Sequence, residues 1–528
     1  MLAIRGLSAL QVRWCNLVIV TLVVGLCIRL SSQWHQRQSR AVLIDLDNTA
    51  IHGPTPEEVY LERLADRYGL TNQTRWQAWK IQPSGRMDGG SSLTNVGLNF
   101  GSQTHKIVDL RGPNPSDLRA SKMMTLPARG GVRVDETDAS DFLFGISTTY
   151  ERIADREWAL LRAWERWLTR GKKTSNGAGF VLMLDKATDK QLREVEAKLH
   201  AHGLGAYLLA TNDPMSMARR YHELVRIFKT YGATLAASGQ RKTWFGLVED
   251  TVFFPDLSYL RQRLAAYNAD EELFIGLTSE RQDWQADGRG MFTYGGGAVL
   301  MSRRAVDRIP GLPCLEVAKA KPPVKPKRWD ALLKDCVKEH AGLQMRVMPA
   351  FYSPGEEGEG DATPVPAGHE EGVRPLVLHD YQDRHRLDVG MAHLVTDVCG
   401  EACFMQRYVF HDRWVLINGV SISQHPDGLE HHQPRRRLGT ERAEAQRTGR
   451  SRRSGLMEEL EDDEKTLLAW TGRRNVWRLL DSTSASDGSV WQAYLKRGAR
   501  GGPAKEREEE TDSMDSVIVL IWEDNTLR

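Results

Sequence analysis

The chain has no strong excess of either charge. Its 71 basic and 69 acidic side chains leave a formal charge of +2, which gives no reason to invoke a nucleic-acid partner. Cysteine is scarce, with six residues in 528. Cys399 and Cys403 have no two further ligands at metal spacing nearby, which argues against zinc. No internal repeat is evident, so a solenoid or propeller is not expected. Long apolar runs are also missing. The longest, the fifteen uncharged residues between Arg13 and Arg29, would span roughly 22 Å as a helix, short of the ~30 Å hydrocarbon core.

What is present is an ordinary globular composition, 41% hydrophobic and 27% charged, in a chain long enough for two to four domains. The short apolar run is expected to be an uncleaved signal anchor in a thin secretory-pathway membrane, with Arg29 snorkelling. No good cleavage site follows it, as a removed signal peptide would require. The large C-terminal part is then expected outside the cytosol. Cys314, Cys336, Cys399 and Cys403 suit an oxidising lumen, where Cys399 and Cys403 could close a small loop. The sequon at Asn72 is compatible with that side.

Residues 1–40 are read as tail and anchor, and 41–138, rich in Gly, Ser, Asn and Arg, as a stem. Within the stem, Asp45 and Asp47 match the DxDxT of haloacid dehalogenase-like phosphatases, where one Asp attacks phosphorus. No regular βα series follows, so a phosphatase is a distant alternative. From Asp141 strands and helices alternate: Phe142 to Ser147, a helix striped by Trp158, Leu161, Trp164 and Leu168, then Gly179 to Leu184. A helix through Leu192, Val195 and Leu199 follows, then Ala206 to Ala210, a helix from Met217, and Thr243 to Val248. This order predicts a largely parallel α/β sheet with right-handed crossovers. Residues 426–472 read as a charged linker and 473–528 as a C-terminal β element packing on the 139–425 domain.

The last strand of that series ends in Glu249 and Asp250. Ligands of open α/β sheets bind beyond the carboxyl ends of the strands. Acids there can hold a divalent cation, which can grip a diphosphate. Alone, the two acids are more often solvated turn residues. Downstream, Gly295, Gly296 and Gly297 would allow close approach of a ligand, or simply make a tight turn.

The pattern WFGLVEDTVFF from Trp244, the segment GGGAVLMS from Gly295, an Asp-centred helix, a late Leu-His and the segment DVCGEAC ending at Cys403 together resemble the fringe-like β-1,3-glycosyltransferases, in their fungal branch. The resemblance covers roughly residues 139–425. It also takes in FGISTTYER, from Phe144 to Arg152. It implies a GT-A (Rossmann-like) nucleotide-sugar fold with a mostly parallel mixed sheet, type II Golgi topology and a UDP-sugar donor with Mn2+. The reaction implied is inverting transfer to a hydroxyl of a carbohydrate or glycoprotein. By the same resemblance Asp250 and His379 are metal ligands, and Glu249, Trp244 and the three glycines line the donor and acceptor cleft. Asp330 is the base, with Asp335 behind it. The family's acidic triplet departs here at Thr251, a poorer ligand than a carboxylate. That departure raises a second expectation, a weakened pseudo-transferase that binds carbohydrate or acts as a scaffold.

Overall fold

The computed structural model describes residues 53–87, 93–120, 122–129, 134–171, 173–211, 215–276, 297–315, 329–348, 376–379, 387–432, 467–498 and 513–523. The expected anchor and the Asp45/Asp47 motif lie outside them. Among the described residues no helix is long and apolar enough to cross a membrane.

The segment expected as a stem is folded. Helix α1 (Pro56–Tyr68) opens with a capping box, Thr55 and Glu58 each accepting from the other's backbone, and closes at Gly69 in the left-handed conformation. Its buried stripe of Tyr60, Leu61 and Leu64 packs with Trp76 and Ala78. Those two lie on β1 (Gln73–Met87), which is followed by β2 (Leu93–Val96), β3 (Lys106–Asp109) and β4 (Lys122–Arg129).

Next comes the alternating series: β5 (Phe142–Thr148), α2 (Tyr150–Leu168), β6 (Gly179–Asp185), α3 (Asp189–Ala201), β7 (Tyr207–Thr211), α4 (Met217–Ala237) and β8 (Trp244–Val248). The short β9 (Val252–Phe253), α5 (Leu257–Leu264), β10 (Phe274–Gly276), β11 (Ala298–Ser302), α6 (Trp329–Ala341), β12 (Arg346–Val347) and β13 (Leu378–His379) follow. Seven of these strands form one sheet in the order β12-β10-β11-β8-β5-β6-β7. β11 runs antiparallel to both neighbours, and the other pairs are parallel. Every residue of β5 and β8 is buried, as expected of strands covered on both faces. The mixed, mostly parallel sheet expected from the sequence is therefore present.

The third part is a ten-stranded sheet. It contains β14 (Arg407–Phe410), β15 (Trp414–Ile417), β16 (Ser421–Gln424), β19 (Asn475–Ser484), β20 (Val490–Lys496) and β21 (Asp515–Trp522), together with β1 to β4. Its central feature is a parallel pairing of β1 with β21, Thr74 facing Asp515 and Ile81 facing Trp522. The chain's two ends thus build one module. A boundary at 425 cuts through this sheet, because β16 pairs with β19. The region read as a linker begins and ends in paired strands, β17 (Leu429–His432) with β18 (Leu467–Trp470). These long-range partners carry no local signal; a twisted sheet simply recruits apolar strands wherever they occur.

One hydrophobic cluster runs through both modules, from Trp79 and Phe100 to Phe144, Trp167 and Phe254. Within the ten-stranded sheet, Gln406 Nε2 donates to Thr94 Oγ1 and to the Pro127 carbonyl, which ties the start of β14 to β2 and β4. Asp481, fully buried on β19, accepts from Arg63 Nη2 at 3.0 Å and from the Tyr68 hydroxyl at 3.0 Å, which fixes α1 to the sheet. Burial, and then the Asp481 charge, push the Tyr68 phenol up.

Between the modules, Glu401 sits inside the short loop closed by the Cys399–Cys403 disulfide. It accepts from Thr137 Oγ1 at 2.8 Å. Burial, reinforced by the neighbouring Asp256 charge, pushes its carboxyl up to about 9. The native state therefore keeps a proton that the unfolded chain has already lost above the usual carboxylate range.

Two outcomes follow from this architecture. A chain beginning at residue 139 loses the partners of β21 and of Asp481 and is expected to aggregate; a soluble product with one cooperative unfolding transition would show residues 53–138 to be a dispensable stem after all. Stability should fall as pH rises between the usual carboxylate range and about 9, by up to about 1.4 kcal/mol per pH unit. Urea unfolding of Glu401→Gln should lack that component and exceed the parent at pH 8.

Candidate functional site at the β5/β8 switch point

The order β8-β5-β6-β7 means that the chain leaves β5 toward one edge and later returns to lay β8 on its other side. The segments after β5 and β8 diverge there. This is the topological switch point at which open α/β sheets bind their ligands. Glu249 and Asp250 follow β8 at that end, Thr148 is the last residue of β5, and Arg152 lies four residues beyond it.

Glu249 is almost fully buried and both its carboxylate oxygens are engaged. Trp329 Nε1 donates to Oε1 at 2.7 Å, and His379 Nε2 lies 3.2 Å from Oε2. His379 is brought there by β13, which pairs antiparallel with β9 so that His379 faces Val252. Trp329 opens α6 and stacks on Tyr221 of α4, ring centroids 4.1 Å apart and 13° from parallel. The Tyr221 hydroxyl donates to the Val248 carbonyl at 2.8 Å, and burial, then the Glu249 and Asp250 charges, raise its pKa. A disulfide from Cys314 to Cys336 ties α6 to the chain after β11.

Gly297 completes this cluster. Its carbonyl accepts from the Glu249 N–H at 2.7 Å. Its φ is +98°, and a Cβ added there would sit 2.7 Å from the His379 ring. The last of the three glycines is thus required by the imidazole beneath it. Gly295 and Gly296 lie outside the described residues.

Asp250 turns the other way. The Arg152 guanidinium holds it with two bonds, Nε to Oδ2 at 2.6 Å and Nη2 to Oδ1 at 2.8 Å, and Thr148 Oγ1 donates to Oδ2 as well. The Asp250 carbonyl accepts from Trp164 Nε1 at 3.0 Å. Asp250 and Thr251 border a cavity of about 680 Å³. Four arginines, Arg67, Arg152, Arg156 and Arg162, and four carboxylates, those of Asp155, Glu157, Asp250 and Asp388, share its wall. The cavity is charge-balanced, with Arg156 3.8 Å from Asp155 and Arg162 3.7 Å from Asp388. Along one side α2 is broken: Arg156, Glu157 and Trp158 all have φ between 47° and 66°. Three successive side-chain-bearing residues in the left-handed region are costly, and such strain gathers at binding and switching sites.

The remaining expected residues fall elsewhere. Trp244 starts β8 and is buried in the core. It is about 17–20 Å along the strand from the acids at ~3.3 Å per residue, so it supports the sheet at the end away from them. Asp330 is fully buried in the first turn of α6, where it acts electrostatically on Lys334. A base has to touch the acceptor hydroxyl, and Asp330 presents no surface in this conformation.

The donor set does not fit the expected dication. Both oxygens of Asp250 are taken by a guanidinium, and the His379 Nε2 faces Glu249, so the two expected ligands do not converge. Among the described residues no group of three or more His, Cys, Asp or Glu is arranged to hold a metal ion. Residues missed from the sequence are Thr148, Arg152, Tyr221 and Trp329. Their signal was position: Thr148 and Arg152 stand directly after a buried parallel strand, and Trp329 directly before the Asp singled out.

No family model matches the chain, and no curated protein does. Several solved structures are weakly similar. One is a glycosyltransferase involved in glycosylation of the major capsid of PBCV-1, at 11% identity over 46% of this chain and 96% of that one, TM-score 0.25. Another is the apo-form glycosyltransferase GlyE of Streptococcus pneumoniae TIGR4, at 12% identity over 48% of this chain and 55% of that one, TM-score 0.31. A third is the galactosyltransferase LgtC in complex with donor and acceptor sugar analogs, at 12% identity over 45% and 86%, TM-score 0.26. Likeness at this level establishes neither fold family nor activity.

Gly297→Ala tests the cluster. The left-handed backbone and the contact with His379 should together cost about 2 kcal/mol or more, read by denaturant unfolding. A crystal structure of the variant should show the His379 ring displaced from Glu249. An unshifted ring and unchanged stability would mean that the glycine is not placed by the imidazole.

Proposed function

We propose that the chain is a nucleotide-sugar glycosyltransferase of the inverting, fringe-like type, using a UDP-sugar and a hydroxyl acceptor of a carbohydrate or glycoprotein, with a lumenal Golgi domain. The observation that carries this reading is the placement of Glu249 and Asp250 at the β5/β8 switch point, with Asp250 opening onto an arginine-bordered cavity. The sequence resemblance points to the same residues independently.

In such a reaction the acceptor oxygen forms a bond to the anomeric carbon as the bond from that carbon to the diphosphate oxygen breaks. The electron pair leaves with UDP, and a carboxylate takes the acceptor's proton. The chain's own contribution is chiefly to hold the partners in line and offset the charge on the departing diphosphate. Arg152 is the residue placed for the second task. A diphosphate entering the cavity competes with Asp250 for its guanidinium, a group whose fork matches phosphate oxygens as well as a carboxylate. Asp250, once released, is the one of the four bordering carboxylates that stands at the strand end beside Arg152, whereas Asp330 is enclosed. On this arrangement arginine, and not Mn2+, meets the diphosphate.

A second reading, a non-catalytic carbohydrate-binding or scaffolding protein on the same fold, is favoured by one observation. Asp250 is locked to Arg152 and Thr148, and the wall around it has no net charge. UDP release from a panel of UDP-sugars, with Mn2+ or with a chelator, separates the two. A transferase releases UDP in the presence of chelator, Arg152→Ala weakens UDP binding about tenfold or more, and Asp250→Asn lowers turnover at least about a hundredfold. UDP or sugar binding without release from any donor supports the second reading. Strict Mn2+ dependence with Arg152→Ala unimpaired refutes the arginine role.

A further inference from the structure

The seven-stranded sheet ends at β7. On its inner side β7 pairs parallel with β6, from Val181 with Tyr207 to Asp185 with Thr211, without a bulge. Among the described residues no strand lies on its outer side, so backbone N–H and C=O groups face outward there. Proteins usually guard such an edge with charge, proline or a bulge. The outlying strands β3, β4 and β12 carry Lys106, Lys122 and Arg346. The run from Tyr207 to Thr211 is YLLAT and has no such guard.

The α4 face of this edge is apolar and open. Tyr207 stacks on Tyr231 of α4, ring centroids 4.7 Å apart and 15° from parallel. Leu209 packs in the same cluster as Ile227 and Tyr231, while Leu208 packs on the other face with Val195 and Leu199 of α3. Between α4 and the edge runs a groove of about 760 Å³, bordered by Met183, Tyr207, Leu209, Met215, Ile227 and Tyr231. Among the described residues lining it Glu223 alone is charged, and Arg226 Nη1 answers it at 3.2 Å. Tyr207 is 44% exposed and Met217, which opens α4, is 39% exposed. They are two of the five large apolar side chains left open to water among the described residues, so the exposure is concentrated at this edge.

The groove therefore offers no unanswered charge with which to select a charged ligand. What matches it is an uncharged strand that brings its own row of backbone groups and apolar side chains on one face. The chain itself carries such a strand. We propose that β7 is the dimer edge of this protein, pairing antiparallel with β7 of a second copy about a two-fold axis at Leu209. That register sets Leu209 against its counterpart, Tyr207 against Thr211 and Leu208 against Ala210, so each large side chain outside the axis meets a smaller one. It also pairs odd positions with odd and even with even, which brings outward-facing backbone groups together. A two-fold perpendicular to the sheet keeps Tyr207 and Leu209 of both copies on the α4 face, where the two grooves merge and cover each other. The pairing rests on this edge and is independent of any chemistry at Asp250.

Sedimentation velocity of the intact chain from about 1 to about 50 µM tests it, with a dimer of micromolar Kd expected. Leu209→Lys sets two like charges face to face on the axis and should weaken the dimer at least about a hundredfold. Tyr207→Lys, at a position already exposed, is the second variant if the first does not fold. Under mild oxidation Leu209→Cys should link two chains above the background of the parent's own cysteines. Tyr207→Cys, about 13 Å from its counterpart at ~3.3 Å per residue, should not. A monomer throughout the range, a dimer indifferent to both lysines, or equal linking by the two cysteines would overturn the proposal. So would slow amide exchange along β7 in a monomer, because another segment of the same chain would then cover the edge.

Discussion

The site is organised around one buried carboxylate that cannot be left alone. Glu249 is withdrawn from water, so its charge must be answered on both oxygens. An indole N–H answers one and an imidazole nitrogen faces the other. Those two partners come from segments far apart in the chain, the start of α6 and the end of β13. Glu249 therefore fixes where a helix begins and where a two-residue strand must pair. Gly297 is drawn in from below because only a residue without a Cβ fits against the imidazole. The Cys314–Cys336 disulfide holds the same helix about two turns further along. The cluster forms a buried floor beside which the neighbouring residue turns toward the open cavity.

That neighbour is Asp250. Adjacent residues at a strand end face different ways, and here the consequence is a division of labour. Glu249 is satisfied by uncharged or weakly basic donors and has no exchangeable partner. Asp250 is satisfied by Arg152, whose side chain is 56% exposed and is shared with an open cavity. Only the Arg152 half of the pair is open to water, the Asp250 carboxylate being buried, so it is the guanidinium that an anion entering the cavity meets. The broken helix α2 lies along the same wall, and the residues in its strained turn, Arg156 and Glu157, supply one positive and one negative group to it. Strain, the arginine–carboxylate pairing and balanced charge thus come together on this one face.

How far the sequence revealed this depended on whether the signal was local. The βα series from Phe142 to Val248 was legible because buried parallel strands read as unbroken apolar runs and the helices between them carry a 3.6-residue stripe. The acid pair was legible because it interrupts such a run at a strand end. The glycines were legible as a group, but the reason for Gly297, a ring from residue 379, was not. Metal ligation by Asp250 and His379 was an inference from residue types; the structure adds direction, turning Asp250 to Arg152 and His379 to Glu249, which no sequence pattern encodes. The segment 41–138 looked like a stem because its strands alternate with polar and glycine-rich stretches. Its apolar residues find partners at the far end of the chain, beyond the reach of any window of periodicity.

That far pairing shapes how the molecule can be assembled. β1 lies between β21 and two early strands, so its apolar face and its ladder of hydrogen bonds wait for the last strand to be made. The wait is shorter in the α/β sheet: β5 to β8 follow one another in the chain, and their pairings run from Val181 with Tyr207 to Phe142 with Trp244, against Thr74 with Asp515. Non-local pairing is slow because the entropy of closing the loop is lost before the contacts form. The α/β sheet is then the natural template, and the β module closes over it through the shared cluster that joins Phe100 and Trp79 to Phe144 and Trp167. A cavity on the β module has walls from β1, β19, β20 and β21, so it exists only once both ends of the chain have met. The switch-point site depends on distant segments as well: Arg67 of α1 and Asp388 border its cavity, and Trp329 and His379 meet Glu249.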